Sequence, residues 1–122
     1  MNTQEIGADL VALCKAGKLD AFGDTYWADD VISVEAAGPP GADLTARGKA
    51  AVKGKGAWWY DNHEVHSTGI EGPYVNGDQF AVRYSIDFTV KQSGQRMQMT
   101  EMALYTVKDG KVVEERFFYG GM

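Results

Sequence analysis

The chain has 122 residues, 44% of them hydrophobic, which suits one compact domain with its own core and leaves no room for a second. Twelve Lys and Arg against 17 Asp and Glu leave a net charge of −5, so a nucleic-acid backbone or an anionic membrane would be repelled rather than recruited. Cys14 is the single cysteine and no internal disulfide can form; there is no basic, apolar leader and no bilayer-length apolar run, so the chain reads as a cytoplasmic single domain over residues 1–122.

Taken in chain order, Ile6, Leu10, Leu13 and Cys14 follow helical spacing, and Gly17 supplies a stop. Leu19, Phe22 and Tyr26 repeat at three and four, which predicts a second helix after a short turn. The β-branched stretch DVISVEAAG, closed by GPPG, predicts a strand and a loop. From about Arg47 to Asn62, Val52, Lys55, Gly56 and Trp59 share one face of a third helix, weakened by Gly54 and Gly56 at about 1 kcal/mol each.

After His63 the period changes to two. HEVHSTGIE, QFAVRYSIDFTV, RMQMTEMALYTV and KVVEERFFY are strand candidates, separated by VNGD, QSGQ and KDGK, whose glycines suit hairpin turns. The expectation is an α+β fold of about five strands: three N-terminal helices packed in the concave side of a curved, mainly antiparallel sheet.

Alternation sorts the side chains by face. With a two-residue turn at Ser93 and Gly94, Asp87 faces Thr100, Ser85 faces Met102 and Arg83 faces Leu104. A two-residue turn at Asp109 and Gly110 adds Glu115, Phe117 and Tyr119 to this mixed face, and the Asn76 turn adds His66. Phe80, Val82, Tyr84, Ile86 and Phe88 form the opposite, apolar face with Met97, Met99, Glu101, Ala103 and Tyr105. Burial of apolar surface favours the second face for the core, yet the first could line a cavity if another subunit covered the apolar one. Pattern alone leaves both open.

The segments YWADDVISVEAAG and ALYTVKDGKVVEERFFY, in this order of elements, resemble the nuclear transport factor 2-like superfamily, and within it the SnoaL-like domains; ketosteroid isomerase is a more distant likeness. The resemblance covers essentially the whole chain. It implies a conical small-molecule cavity lined by the positions of Met102, Glu115, Phe117 and Tyr119, with the mixed face inside and the apolar convex face given to a homodimer. It also implies loss of the steroid mechanism: Ala36, Leu10 and Met102 stand where the isomerases carry an aspartate, a tyrosine and an acidic partner. A shift of one residue would restore Glu35 or Glu101 as a carboxylate, but not the tyrosine.

On that sidedness the expected catalytic set is Asp87, His66 and Arg83. Trp59, Phe117 and Leu104 around Asp87 would raise its pKa, Arg83 would oppose the shift, and His66 would serve as base or donor. The bland alternative is an Asp87 and Arg83 pair that only satisfies two charges, and an exposed strand histidine. Trp59 and Tyr26 are expected to roof the cavity, with Leu104, Met102, Glu115, Phe117 and Tyr119 also touching ligand.

HEVH does not match the zinc-protease spacing, and a strand would point His63 and His66 to opposite faces. KGKG lacks the Ser or Thr of a phosphate loop and reads as a solvated helix face, while Cys14 reads as core. No metal, nucleotide or flavin is implied. Two functions stand: a cofactor-free acid-base enzyme of isomerase, cyclase or dehydratase type on a hydrophobic carbonyl compound, or a non-catalytic dimer that captures a small hydrophobic molecule.

Overall fold

A computed structural model of the chain describes residues 1–120. In order these form α1 (Thr3–Lys15), α2 (Asp20–Tyr26), β1 (Trp27–Val34), β2 (Thr45–Arg47), α3 (Lys49–Asn62), β3 (His63–Asn76), β4 (Gln79–Val90), β5 (Gln95–Lys108) and β6 (Lys111–Phe118). The six strands make one curved, open sheet in the order β2-β1-β6-β5-β4-β3. All neighbours are antiparallel except β1 and β6, which run parallel. The three helices and the meander lie where the sequence puts them. The three-residue β2 at the sheet edge is an addition, too short to show an alternation of its own.

The first helix starts with a reciprocal cap. Asn2 accepts a hydrogen bond from the Glu5 N–H at 2.9 Å, and the Glu5 carboxylate accepts one from the Asn2 N–H at 3.1 Å. Gly17, at φ 71°, reverses the chain after it. Ile6, Gly7, Leu10, Val11 and Cys14 form its buried stripe. Gly7 is bare for a reason: a Cβ there would lie 2.8 Å from Pro73 Cβ and 3.1 Å from the Phe80 ring, so only glycine lets α1 settle onto β3 and β4.

The face that packs against the helices is the apolar one. Phe80, Val82, Tyr84 and Phe88 of β4 are buried with Ala103, Tyr105 and Val107 of β5, under Ile6, Leu10, Phe22 and Val52. This corrects the sidedness suggested by the family resemblance. Apolar area of that size contributes about 25 cal/mol per Å² removed from water, and the helices of the same chain are near enough to cover it. No second subunit is needed for that burial.

Two registers also differ from expectation. Val90 pairs with Gln95, so a four-residue connection replaces the two-residue turn, and Asp87 lies opposite Gln98 rather than Thr100. A slip of two leaves every side chain on its face. Between β5 and β6 the change is odd: Val107 pairs with Val112 but Thr106 pairs with Glu114, which makes Val113 the extra residue of a bulge. Beyond it the alternation is inverted. Glu115, Phe117 and Tyr119 therefore join the inner face with Glu101, Ala103 and Tyr105, while Glu114, Arg116 and Phe118 go outside.

Candidate functional site

A polar cluster lies within this otherwise apolar interior, where β1 and β6 run side by side beneath α3. Ser33 and Glu115 are register partners across the parallel pair, and both are buried, Ser33 completely. Ser33 Oγ donates to Glu115 Oε1 at 2.9 Å. Above them Lys55 of α3 donates from Nζ to Ser33 Oγ at 2.5 Å and to Glu35 Oε2 at 2.6 Å, and its ammonium sits 5.0 Å from the centre of the Phe117 ring. Tyr119 closes the cluster, its single hydroxyl hydrogen shared between Glu35 Oε1 at 3.0 Å and the Ala37 carbonyl at 3.2 Å.

One carboxyl stands apart. Next to the outward Met102, Glu101 falls on the inner side, opposite the buried Tyr84 of β4. Among the described residues Glu101 has no ion-pair partner. Burial pushes its carboxyl up to about 7; the nearby Glu35 and Glu115 reinforce the rise and Lys55 opposes it. Glu115 is raised too, again by burial, although the Ser33 hydroxyl, Lys55 and the Trp27 indole favour its charged form. Trp27 Nε1 itself is buried without a well-formed hydrogen bond, so its pull on Glu115 is electrostatic rather than a fixed contact. The interior thus holds a carboxyl poised near neutrality beside a fixed ammonium and a paired carboxylate.

The sequence-expected set lies elsewhere. Asp87 and Arg83 are on the outer face, away from the helices. Asp87 is held by Arg96 through Nε at 3.0 Å and Nη2 at 2.8 Å, and that fork lowers its pKa, the opposite of the expected shift. Arg83 pairs with Glu71 at 3.1 Å. His66 is the extra residue of a bulge in β3, exposed, with Nε2 at 2.7 Å from Thr89 Oγ1; it is close enough to Asp87 to favour the carboxylate, but on the same outer side. The alternative of an Asp87 and Arg83 pair is not formed either, since each is paired with another residue; His66 is an exposed strand histidine. Met102 and Leu104 also lie outside.

Of the expected ligand-contacting residues, Glu115, Phe117 and Tyr119 lie in the inner cluster. Trp59 stands nearer the sheet's far side, stacked on His63 with ring centres 3.7 Å apart and edge-on to Phe88 at 5.2 Å. Tyr26 does not face it. Its hydroxyl donates to Asp9 at 2.5 Å, which with burial pushes the phenol up to about 12, and its ring packs on Phe22. Lys55 and Ser33 had no place in the expected site, and Glu35 and Glu101 entered it only through the one-residue shift. Lys55 shares its helical face with Val52 and Trp59, the feature that could have turned it inward.

The cluster opens towards a cleft of about 290 Å³ between α3 and the β1–β2 loop, lined by Ala37, Gly38, Pro39, Ala42, Asp43, Leu44, Thr45 and Ala46, together with Glu35 and Lys55. Among the described residues no group of three or more His, Cys, Asp or Glu side chains is placed to hold a metal ion, and no helix is long and apolar enough to cross a membrane.

A solved protein from Mesorhizobium loti, provisionally named a SnoaL-like polyketide cyclase with carbohydrate phosphatase added in brackets, is 48% identical and superposes with a TM-score of 0.91 over 98% of this chain and 100% of its own. A protein of ketosteroid isomerase-like fold from Catenulispora acidiphila, solved with trimethylamine, shares 22% identity and a TM-score of 0.74 over 98% and 88% of the two chains. A Xanthomonas campestris protein of cystatin-like fold shares 23% and 0.76 over 97% and 90%. No curated protein matches the chain. The family model for the SnoaL-like domain matches residues 1–119, and with the inner cluster, the helix-covered sheet and the 48% identical relative in place, the chain belongs to the SnoaL-like family.

Proposed function

We propose that the protein is a cofactor-free acid-base enzyme acting on a small carbonyl compound, with Glu101 as the group that moves the proton. The observation that carries this reading is the placement of an unpaired, half-buried carboxyl on the same inner face as the Lys55, Glu35 and Tyr119 cluster. A carboxyl titrating near neutrality can both take and return a proton at working pH, and such transfer contributes about 10²–10⁴ in rate. Lys55 can stabilise the oxygen on which negative charge develops, because only two of its three N–H bonds are engaged. The alternative of simple capture uses the same surface without turnover.

Exchange of α-protons of cyclohexanone in D2O, followed by NMR, separates the two. Catalysed exchange that falls about 100-fold in Glu101→Gln and persists in Asp87→Asn supports the enzyme. Saturable binding of cyclohexanone without exchange supports capture.

A homodimer belongs to the same proposal, on new grounds. Met102 and Phe118, cross-strand partners on the outer face, are 37% and 48% exposed and are flanked by the half-buried Leu104. Sedimentation equilibrium should give twice the 13.3 kDa chain mass, returning to one chain in a Met102→Lys, Phe118→Lys double variant. A wild-type monomer would end this part of the proposal and leave the site intact.

A further inference from the structure

The inner volume of the cone is already occupied. Phe80 stacks on Tyr105 with ring centres 4.8 Å apart, the Tyr84 and Tyr105 hydroxyls share a hydrogen bond of 2.8 Å, and Phe22 packs edge-on against Tyr105. Towards the other end, Trp59, His63 and Phe88 fill the space between α3 and β3–β4 by mutual stacking. A ligand as large as a fused polycycle would have to displace one of these aromatic groups. The cleft beside the β1–β2 loop needs no such displacement.

We propose that this cleft is the recognition site, and that it takes a compound of one or two rings whose carbonyl or enol oxygen lies at Lys55 Nζ. The assignment rests on the acid-base reading of the inner face for its chemistry, but on the cleft's own shape for its size limit. An apolar cavity of about 150 Å³ holds one benzene ring, so a cleft of about 290 Å³ has room for about two. Its walls are mostly small and apolar, with Ala37, Gly38, Pro39, Ala42, Leu44 and Ala46, and are interrupted by Asp43 and Thr45. The ion-paired Lys55 and Glu35 also line it; Lys55 keeps an uncommitted N–H, and Glu35 is a carboxylate that can accept from an enol. A molecule with an apolar body and one oxygen-bearing end matches both features.

Tyr119 fixes the geometry of that pair. Its hydroxyl hydrogen, shared between Glu35 and the Ala37 carbonyl, joins the acidic group to the first residue of the apolar wall. Binding of an oxygen at Lys55 therefore positions the rest of the molecule along the loop rather than towards Phe80.

The test uses three phenols as enol mimics of increasing size: 4-nitrophenol, 2-naphthol and 1-hydroxypyrene. Each is titrated into the whole protein and followed through backbone amide resonances. The expected result is that the one- and two-ring compounds shift the amides of Ala37, Gly38, Ala42 and Leu44, while 1-hydroxypyrene neither shifts them nor displaces 4-nitrophenol. Ala42→Phe, at an exposed loop position where folding is spared, should weaken 4-nitrophenol at least tenfold. Stronger binding of 1-hydroxypyrene, shifts confined to other residues, or no shift by any phenol at 10 mM, about the weakest affinity that would matter for a small-molecule site, would overturn the assignment. Glu101→Gln separates the two proposals: unchanged 4-nitrophenol shifts with no α-proton exchange in the wild type would retain the cleft and discard the acid-base reading. Catalysed exchange with phenol shifts elsewhere would do the reverse.

Discussion

Phe80→Ala is expected to destabilise the fold by about 4 kcal/mol, since truncating a buried phenylalanine costs about 3–5 kcal/mol through lost transfer energy and the cavity left behind. Phe80 is wholly buried, stacked on Tyr105 and in reach of the α1 backbone at Gly7. Arg83→Ala, on the other side of the same strand, should change stability by no more than about 1 kcal/mol, because its pairing with Glu71 is exposed. Urea unfolding of the two variants reads the sidedness of the sheet directly. Similar losses, or a larger loss for Arg83, would contradict the packing described above. Against a total stability of about 5–15 kcal/mol, the Phe80 variant should be visibly compromised at ambient temperature.

Glu101→Gln should move activity and stability in opposite directions. The folded carboxyl titrates near 7 against an ordinary value of 4.5, so the folded state resists ionisation that the unfolded chain accepts. The resulting penalty is absent below about pH 4, grows between the two pKa values, and stays constant above the folded one. From the size of the shift it is at most about 3 kcal/mol, and closer to 2 once access of water to a half-buried group is allowed for. Glutamine removes it. The variant should match the wild type near pH 4 and exceed it by about 2 kcal/mol at pH 8, seen as a higher melting temperature, while turnover falls about 100-fold. A variant less stable than wild type at pH 8 would mean that the carboxylate is favourably held, and the proton-transfer role would lose its basis.

Much of the fold was legible because its signals are local. Helical spacing around Leu10, period-two alternation from Gln79 to Val90, and the glycine turns identify elements without knowledge of their neighbours. The face partition of β4 and β5 was legible too, and survived an incorrect turn length because the slip was even. Which face turns inward was not, since the family comparison placed cavity residues by position in the strand and Met102 and Glu115 fall on opposite sides of the sheet here. The reason is Val113. A bulge has no strong local signature, so strict alternation carried Glu115, Phe117 and Tyr119 onto the wrong face, beside Asp87 and Arg83. Lys55 was obscured differently: in a helix with two glycines and one buried residue, a lysine reads as solvated unless the acids opposite it are known.

That extra residue also governs what a deletion would do. Without Val113, Glu114 would follow Val112 directly, the alternation would be unbroken, and Glu115, Phe117 and Tyr119 would still face Lys55. What would bring a guanidinium into that chamber is the same strand paired without its bulge, with Val113 counted in the alternation. An extra residue is thus absorbed in β6 without altering the chemistry of the interior, because the ladder expels it instead of counting it.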